Sequence, residues 1–348
     1  MEEDKPRTIA SVKKELAKKY PGLTLLKGSE VEVECDATGI KELDDIIRGF
    51  RVGGYSVLWG PDGSAKTALA LHTIATAQVL GKRCAFLDAE HRFDPLWANS
   101  LGVDTDALLT LQLAESLEDS LMGVETLVKG NMIDMLVIDS VTSLVAEQEF
   151  KAKAKDKEKK LHDDTMGIQA RRFSEWFRRT CSMFARHHIT AILIGQGRIE
   201  GLGTQMVRLG LAGGKAMRHY PSTILKMYRT TENAPKVSID NKTKYIGFSC
   251  GIGLEKTSLT ANEGSRILIP FVFGKGFDLN RMRVDKALAD KLVTGGAGGR
   301  YVYVDSSGEE NKIHGKEKLY DFFEERPDEL AKRREAEGHS GDDEPAGG

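Results

Sequence analysis

The stretch Gly60-Pro61-Asp62-Gly63-Ser64-Ala65-Lys66-Thr67 follows a short apolar run at residues 55–59 and opens a helical pattern over residues 68–80. Strand, glycine-bearing turn and helix in that order are the context a phosphate-binding loop requires. Such a loop aims backbone N–H groups and the positive end of a helix dipole at a β-phosphate. Lys66 would neutralise charge on the β/γ oxygens, and the Thr67 hydroxyl would ligate Mg²⁺. One residue departs from the strict pattern: Ala65 stands where glycine is usual, so a Cβ must fit beside a closely approaching phosphate. A turn of this composition also serves as plain punctuation between strand and helix, and the Lys-Thr pair at the helix start separates the two readings.

Outward from this loop, short apolar runs at residues 55–59, 84–88, 135–139, 191–194 and 224–228 alternate with helical stretches between residues 52 and 275. The alternation predicts an α/β core with a mostly parallel central sheet. The run Met135-Leu136-Val137-Ile138-Asp139 ends in a carboxylate that would emerge beside the phosphate loop and hold Mg²⁺ through water. Cys84-Ala85-Phe86-Leu87-Asp88 would end at the same edge, and Glu90 just beyond it could polarise a water attacking the γ-phosphate; glutamates after strands are also common surface residues.

Residues 7–20 place Ile9, Val12, Leu16 and Tyr20 three or four apart in a lysine-rich segment that stops at Pro21-Gly22, a short amphipathic helix standing before the core. It serves either as an interaction arm or as a helix packed on its own domain. The pattern changes near residues 274–276 to a helix around 284–292, a strand at 301–304 and a helix at 316–325. The expected division is therefore an N-terminal arm over 1–33, the ATPase core over 34–275, a small α+β C-terminal domain over 276–327, and a disordered charged tail over 328–348.

A formal net charge of -2 requires any nucleic-acid affinity to come from a local basic surface. Four scattered cysteines, Cys35, Cys84, Cys181 and Cys250, form no Cys-x-x-Cys pair and read as core thiols of a reducing compartment. No signal pattern or membrane-length apolar stretch is present, so a soluble, cytoplasmic protein without a membrane partner is expected.

The segment Asp88-Ala89-Glu90-His91-Arg92-Phe93-Asp94-Pro95, followed by Leu101-Gly102-Val103-Asp104, closely resembles the corresponding stretch of the RecA recombinase family. The 135–141 strand, Ile194-Gly195-Gln196-Gly197-Arg198 and Gly213-Gly214-Lys215-Ala216-Met217 follow in family order, and the likeness runs from the N-terminal helix through Thr38-Gly39 and Leu43-Asp44 to the C-terminal domain. The resemblance implies a RecA-type P-loop NTPase core with an N-terminal oligomerisation helix, ATP and Mg²⁺ as cofactors, and a DNA-dependent ATPase that forms filaments on single-stranded DNA and exchanges strands with homologous duplex. It makes Glu90 the catalytic carboxylate, Asp94 and Trp97 adenine neighbours, and Gln196 the residue that senses the γ-phosphate. Two features are more similar to phage recombinases of the UvsX type: Ala65, and Gly253-Leu254-Glu255-Lys256-Thr257-Ser258, where the family places two lysines that reach the neighbouring subunit's nucleotide. Lys256 is the candidate there, and Ser258 stands where a second cation is usual.

Lys151, Lys153, Lys155, Lys157, Lys159 and Lys160 form a basic run without apolar periodicity. By itself such a run is a solvated loop; in family order it falls where the first DNA-binding loop lies. Met166, Arg171 and Arg178 resemble positions facing the DNA, and the two arginines, seven apart, share a helix face. The second DNA loop would run over residues 197–214, glycine-rich, with Arg198, Arg208, Gly213 and Gly214 meeting phosphates and with Gln196 at its root. Mediator and single-strand-binding proteins are further partners that the resemblance suggests. A ring helicase or repair motor on the same core, and a weakly hydrolysing nucleotide-binding scaffold, are the competing functions.

Overall fold

The computed structural model describes residues 8–20, 23–112, 116–144, 165–200, 208–212, 214–239 and 242–336. At 165–169, 198–200, 208–209, 238–239 and 334–336 the description covers the backbone alone. Residues 36–348 form one compact unit and residues 1–35 another.

A ten-stranded sheet organises the larger unit. From one edge its strands are Gly276–Phe277, Arg266–Val272, Gly247–Thr257, Thr223–Thr230, Tyr55–Gly60, Thr190–Glu200, Met135–Asp139, Cys84–Asp88 and Leu109–Gln112, with Arg208–Leu211 pairing only to Thr190–Glu200. From Thr223–Thr230 to Leu109–Gln112 all pairings are parallel, which matches the alternating pattern of the sequence. The strand Gly247–Thr257 is antiparallel to both neighbours, an extension that the alternation does not announce. Its glycines hide it, because glycine is depleted in strands. Gly251 has a reason to be there: a Cβ on it would lie 2.2 Å from Cζ of Tyr228 on the paired strand.

Parallel strands covered on both faces alternate their side chains between two cores. Leu58, Met135, Val137 and Ile192 join one apolar cluster with Leu69 and Ile74 of the phosphate-loop helix Lys66–Val79. Val57, Trp59, Leu136 and Ile138 join the other, with Val124 of helix Leu117–Lys129 and with Phe173, Trp176 and Phe177 of helix Thr165–Arg186. Among the parallel strands, register places Gly60 opposite Gln196, Asp139 opposite Ile194, and Asp88 opposite Asp139, so the predicted chemistry shares one C-terminal edge. Ligands of open α/β sheets bind at that edge.

A third apolar cluster, with Val284, Tyr303, Leu319 and Phe323, is built by helices Leu279–Ala289 and Lys316–Glu324 and the antiparallel strands Val293–Gly295, Arg300–Val304 and Glu310–His314. Gly276–Phe277, placed in this module by the sequence, instead pairs with Phe271 and Val272 of the main sheet. Within the expected tail, residues Glu329–Ala336 are helical, and Leu330 is buried in the third cluster. Glu329 anchors the same helix, accepting from Ser306 N at 2.9 Å. Cys84 and Cys250 are core thiols, whereas Cys181, expected to be one, is exposed on helix Thr165–Arg186.

In the smaller unit, helix Ile9–Lys19 is capped by Thr8, whose hydroxyl accepts from Ser11 N at 3.2 Å, and carries Lys18 and Lys19 in its last turn. The helix buries no residue. No helix among the described residues is long and apolar enough to cross a membrane.

Candidate nucleotide site and nucleic-acid interface

The phosphate loop turns through left-handed backbone at Gly63 (φ 70°) and Ala65 (φ 67°, ψ 24°). Ala65 thus occupies a conformation that glycine adopts without cost and an L-residue does not. Gly60 (φ 153°) is required by packing, since a Cβ there would meet Met227 O at 1.9 Å. Lys66 is buried and donates from Nζ to Gly60 O (3.0 Å) and Pro61 O (2.8 Å), spanning the loop it belongs to. Burial pulls its pKa down, against the pull of Asp62, Asp139 and Glu90. Next to it, Thr67 Oγ1 donates to Asp139 Oδ2 at 2.6 Å. Burial raises the Asp139 carboxyl to about 6, partly offset by that hydrogen bond.

Two oxygens from different elements, Thr67 and Asp139, therefore converge beside the phosphate loop. A hard divalent ion that keeps waters and phosphate oxygens in its shell needs no more protein ligands than these, so the residues fit Mg²⁺.

Glu90 lies across the cleft. Its Oε1 accepts from Ser140 Oγ (2.6 Å), Ser143 Oγ (3.0 Å) and Gln196 Nε2 (3.2 Å), while Oε2 pairs with Arg92 Nη1 at 3.2 Å. The loop holding Glu90 is organised by buried Asp88. Its carboxylate accepts from the backbone N–H groups of Glu90 (3.3 Å), Arg92 (3.1 Å) and Phe93 (2.9 Å). This is a local Asx-type turn, which fixes where the next side chains point.

All eight loop residues except Gly60 and Pro61 line a cleft of about 460 Å³ together with Glu90, Asp94, Trp97, Asp139 and Gln196. Asp94 caps helix Pro95–Ser100, accepting from Leu96 N (2.9 Å) and Trp97 N (3.3 Å). The far wall is apolar and aromatic: Phe93, Trp97, Phe248, Phe271 and Phe273, with the Arg229 guanidinium 4.6 Å above Phe248 and 5.3 Å from Phe273. A half-exposed aromatic and a cation at the open end of a phosphate site suit a nucleobase. Sequence reasoning missed Ser143, Arg229, Phe248, Phe271 and Phe273. Phe248 and Phe271 come from the antiparallel strands and Phe273 from just beyond them, Arg229 from the end of the strand Thr223–Thr230, and Ser143 is a hydroxyl that no short motif marks.

Lys256 is elsewhere. Its Nζ donates to Arg218 O and His219 O, both at 2.9 Å, beside a separate hollow of about 270 Å³ that Glu255 and Glu263 also line. The same chain's Lys256 does not line the phosphate cleft, so a role in hydrolysis would have to be exercised on another subunit's nucleotide. Ser258 N donates to Ser222 O, tying the adjacent loop to the sheet.

On the expected DNA side, Lys151, Lys153, Lys155 and Gly213 lie outside the described residues, and for Met166, Arg198 and Arg208 the backbone alone is described. Helix Thr165–Arg186 sorts its arginines by partner: Arg172 pairs with Glu118 (3.1 Å) and the exposed Arg179 with Glu125, both acids on helix Leu117–Lys129, while Arg171 and Arg178 face solvent. The second loop, of a composition suited to disorder until it meets phosphates, is a paired hairpin at its base, with Gly197 opposite Leu211 and Glu200 opposite Arg208. Ladder hydrogen bonds begin directly after Gln196, so the loop's root is continuous with the residue touching Glu90. Gly214 (φ 78°) closes the loop so tightly on helix Thr165–Arg186 that a Cβ would sit 2.8 Å from Ala170 Cβ.

The family model of the RecA N-terminal domain matches residues 7–276. The chain is 33% identical over 303 residues to Protein RecA of Deinococcus radiodurans, covering 86% of this chain and 78% of that one. It is 31% identical over 340 residues to Protein RecA of Thermus aquaticus, covering 96% and 94%. To Protein RecA of Rhodospirillum rubrum it is 39% identical over 206 residues, 58% of this chain and 54% of that one. A phosphate loop, a carboxylate and a glutamine meeting at the edge of a parallel sheet, and a sequence match that spans both the sheet and the module beyond it, lead to one conclusion: the chain belongs to the RecA family.

Proposed function

We propose that the cleft is the ATP-hydrolysing site of a DNA recombinase and that Glu90, Lys66, Thr67, Asp139 and Gln196 are its working residues. RecA-family proteins are DNA-dependent ATPases that form filaments and exchange DNA strands, and this chain is one of them. The observation that carries the site assignment is the hydrogen bond between Gln196 and Glu90 at 3.2 Å. It joins a carboxylate suited to orienting water to the residue at the root of the expected second DNA loop.

In this reading Lys66 would exchange the carbonyls of Gly60 and Pro61 for the β/γ oxygens, and Thr67 and Asp139 would hold Mg²⁺. When bound, the ion would neutralise phosphate charge. Glu90 orients the attacking water and draws on its proton, and the Ser140 and Ser143 hydroxyls keep its Oε1 aimed. Gln196 reads the terminal phosphate and passes its position to the hairpin that starts at Gly197. Phe273, Arg229 and Trp97 form the base pocket, with Asp94 holding the helix that carries Trp97.

DNA binding is assigned to Lys151, Lys153, Lys155, Met166, Arg171, Arg178, Arg198, Arg208, Gly213 and Gly214. Cations and backbone amides there favour sequence-independent contact with single strands and then with a homologous duplex. Lys256 would act on the nucleotide of the adjacent subunit in a cytoplasmic filament, with single-strand-binding and mediator proteins as further partners. ATP turnover measured with and without single-stranded DNA tests the proposal. Strong stimulation by DNA is expected, and turnover that is DNA-independent or absent would favour the scaffold reading.

A further inference from the structure

Among the described partners of Glu90, Arg92 has the most exposed side chain. Ser140 is fully buried and Gln196 is held in a strand paired to Gly60, whereas the Arg92 side chain is 79% exposed. Its backbone is nonetheless fixed, because Arg92 N and Phe93 N both donate to the buried Asp88 carboxylate at 3.1 and 2.9 Å. A pinned Cα and an exposed guanidinium at the rim of the phosphate cleft make a cation that can move without moving the backbone, giving up its contact with Glu90 and some side-chain freedom.

The pairing also sets a constraint on Glu90. With three donors on Oε1, the oxygen left to face an attacking water is Oε2, and there Arg92 competes with the water for it. A terminal phosphate bound above Lys66 and Thr67 offers the guanidinium more charge and a bidentate oxygen pair, which a single Nη1 contact to a carboxylate does not.

Resting on the reading of this cleft as an ATPase site, we propose that Arg92 is a phosphate-contacting cation supplied by the same chain as the phosphate loop. It pairs with Glu90 when the cleft is empty and transfers to the γ-phosphate of a bound nucleoside triphosphate, freeing Glu90 Oε2 for the attacking water. Discrimination of triphosphate from diphosphate would then reside partly in this residue, and the chain would rely less on cations from a neighbouring subunit.

The test uses the full chain with Mg²⁺ and compares binding of ADP with that of the β,γ-imido analogue of ATP, which cannot be hydrolysed. Arg92→Ala is expected to weaken the analogue about tenfold, the low end for a charge-assisted contact near solvent, and ADP less than about twofold. Arg92→Lys should recover most of the difference, and turnover of ATP should fall in Arg92→Ala. In Glu90→Gln the analogue should bind at least as tightly as in the parent, because the competing carboxylate is gone, and adding Arg92→Ala should abolish that gain. Equal effects on both ligands, no effect on either, or faster turnover with unchanged discrimination would each overturn the proposal and leave Arg92 a surface partner of Glu90. The binding comparison does not depend on Glu90 being catalytic: normal turnover in Glu90→Gln would refute that role while the ligand difference still decides Arg92.

Discussion

Glu90 and Ala65 show how far single residues can be argued. Glu90→Gln keeps the acceptor for Ser140 and Ser143 but loses the negative charge that draws on a water proton, so ATP turnover should fall about 10² to 10⁴-fold while nucleotide binding survives. A phosphate-release assay decides this, and a variant with near-parental rates would remove Glu90 from the mechanism. Lys66→Ala should abolish nucleotide binding or hydrolysis, since no other cation in the cleft is built into the loop itself. Ala65→Gly is expected to be nearly silent. Glycine relieves a left-handed backbone that costs alanine about 1–2 kcal/mol, and it returns about 0.5–1 kcal/mol through the greater freedom of the unfolded chain. Thermal unfolding and ATP affinity should both stay close to the parent. Hydrolysis appearing only in Ala65→Gly would instead mark the natural chain as a scaffold. These residues were legible because a motif constrains neighbours in sequence. Phe273 and Arg229 were not, since their nearness to the cleft is a property of strand pairing rather than of spacing.

Helix Thr165–Arg186 is the element on which function and stability can be separated. Arg172 and Arg179 meet Glu118 and Glu125, acids that are also seven residues apart, so one face of the helix is an ion-pair seam against Leu117–Lys129. Arg171 and Arg178 sit one position earlier in each repeat and reach solvent. Arg171→Ala and Arg178→Ala should weaken DNA binding, and each DNA phosphate left without its cation should take about 0.7 off the log–log salt slope for single strands. Urea unfolding should hardly register these changes. Arg179→Ala should do the reverse: it takes one cation from the buried Glu125 and should cost about 1 kcal/mol of stability with the salt slope intact. Neutralising the lysines between positions 151 and 160 is expected to flatten the slope in the same way as Arg171→Ala. An unchanged slope would identify that run as a solvated insertion. The seven-residue spacing of Arg171 and Arg178 could be read from sequence; which of the two arginine pairs was tied down could not, because that depends on the acids of another helix.

For the molecule as a whole, the N-terminal helix is the open question of assembly. On its apolar face Ile9 and Tyr20 are 58% and 50% exposed, while Val12 and Leu16 are partly buried. Deleting residues 1–22 should leave a chain that folds and binds ATP weakly but forms no filaments by electron microscopy and shows no DNA-stimulated turnover. Filaments persisting after the deletion would mean that assembly does not need this segment. The sequence by itself determined the parallel core, its strand ends at Asp88 and Asp139 and the phosphate loop, because a two-residue strand period, a helical period and a glycine turn are all local signals. Tertiary structure alone decided that Glu90 is shared by Ser140, Ser143, Gln196 and Arg92. It also decided that Phe248 and Phe271 of the antiparallel strands join the base wall and that Lys256 lies apart from its own chain's phosphate loop. Contacts between residues scores of positions apart are fixed by sheet register and packing, and neither leaves a period in the sequence.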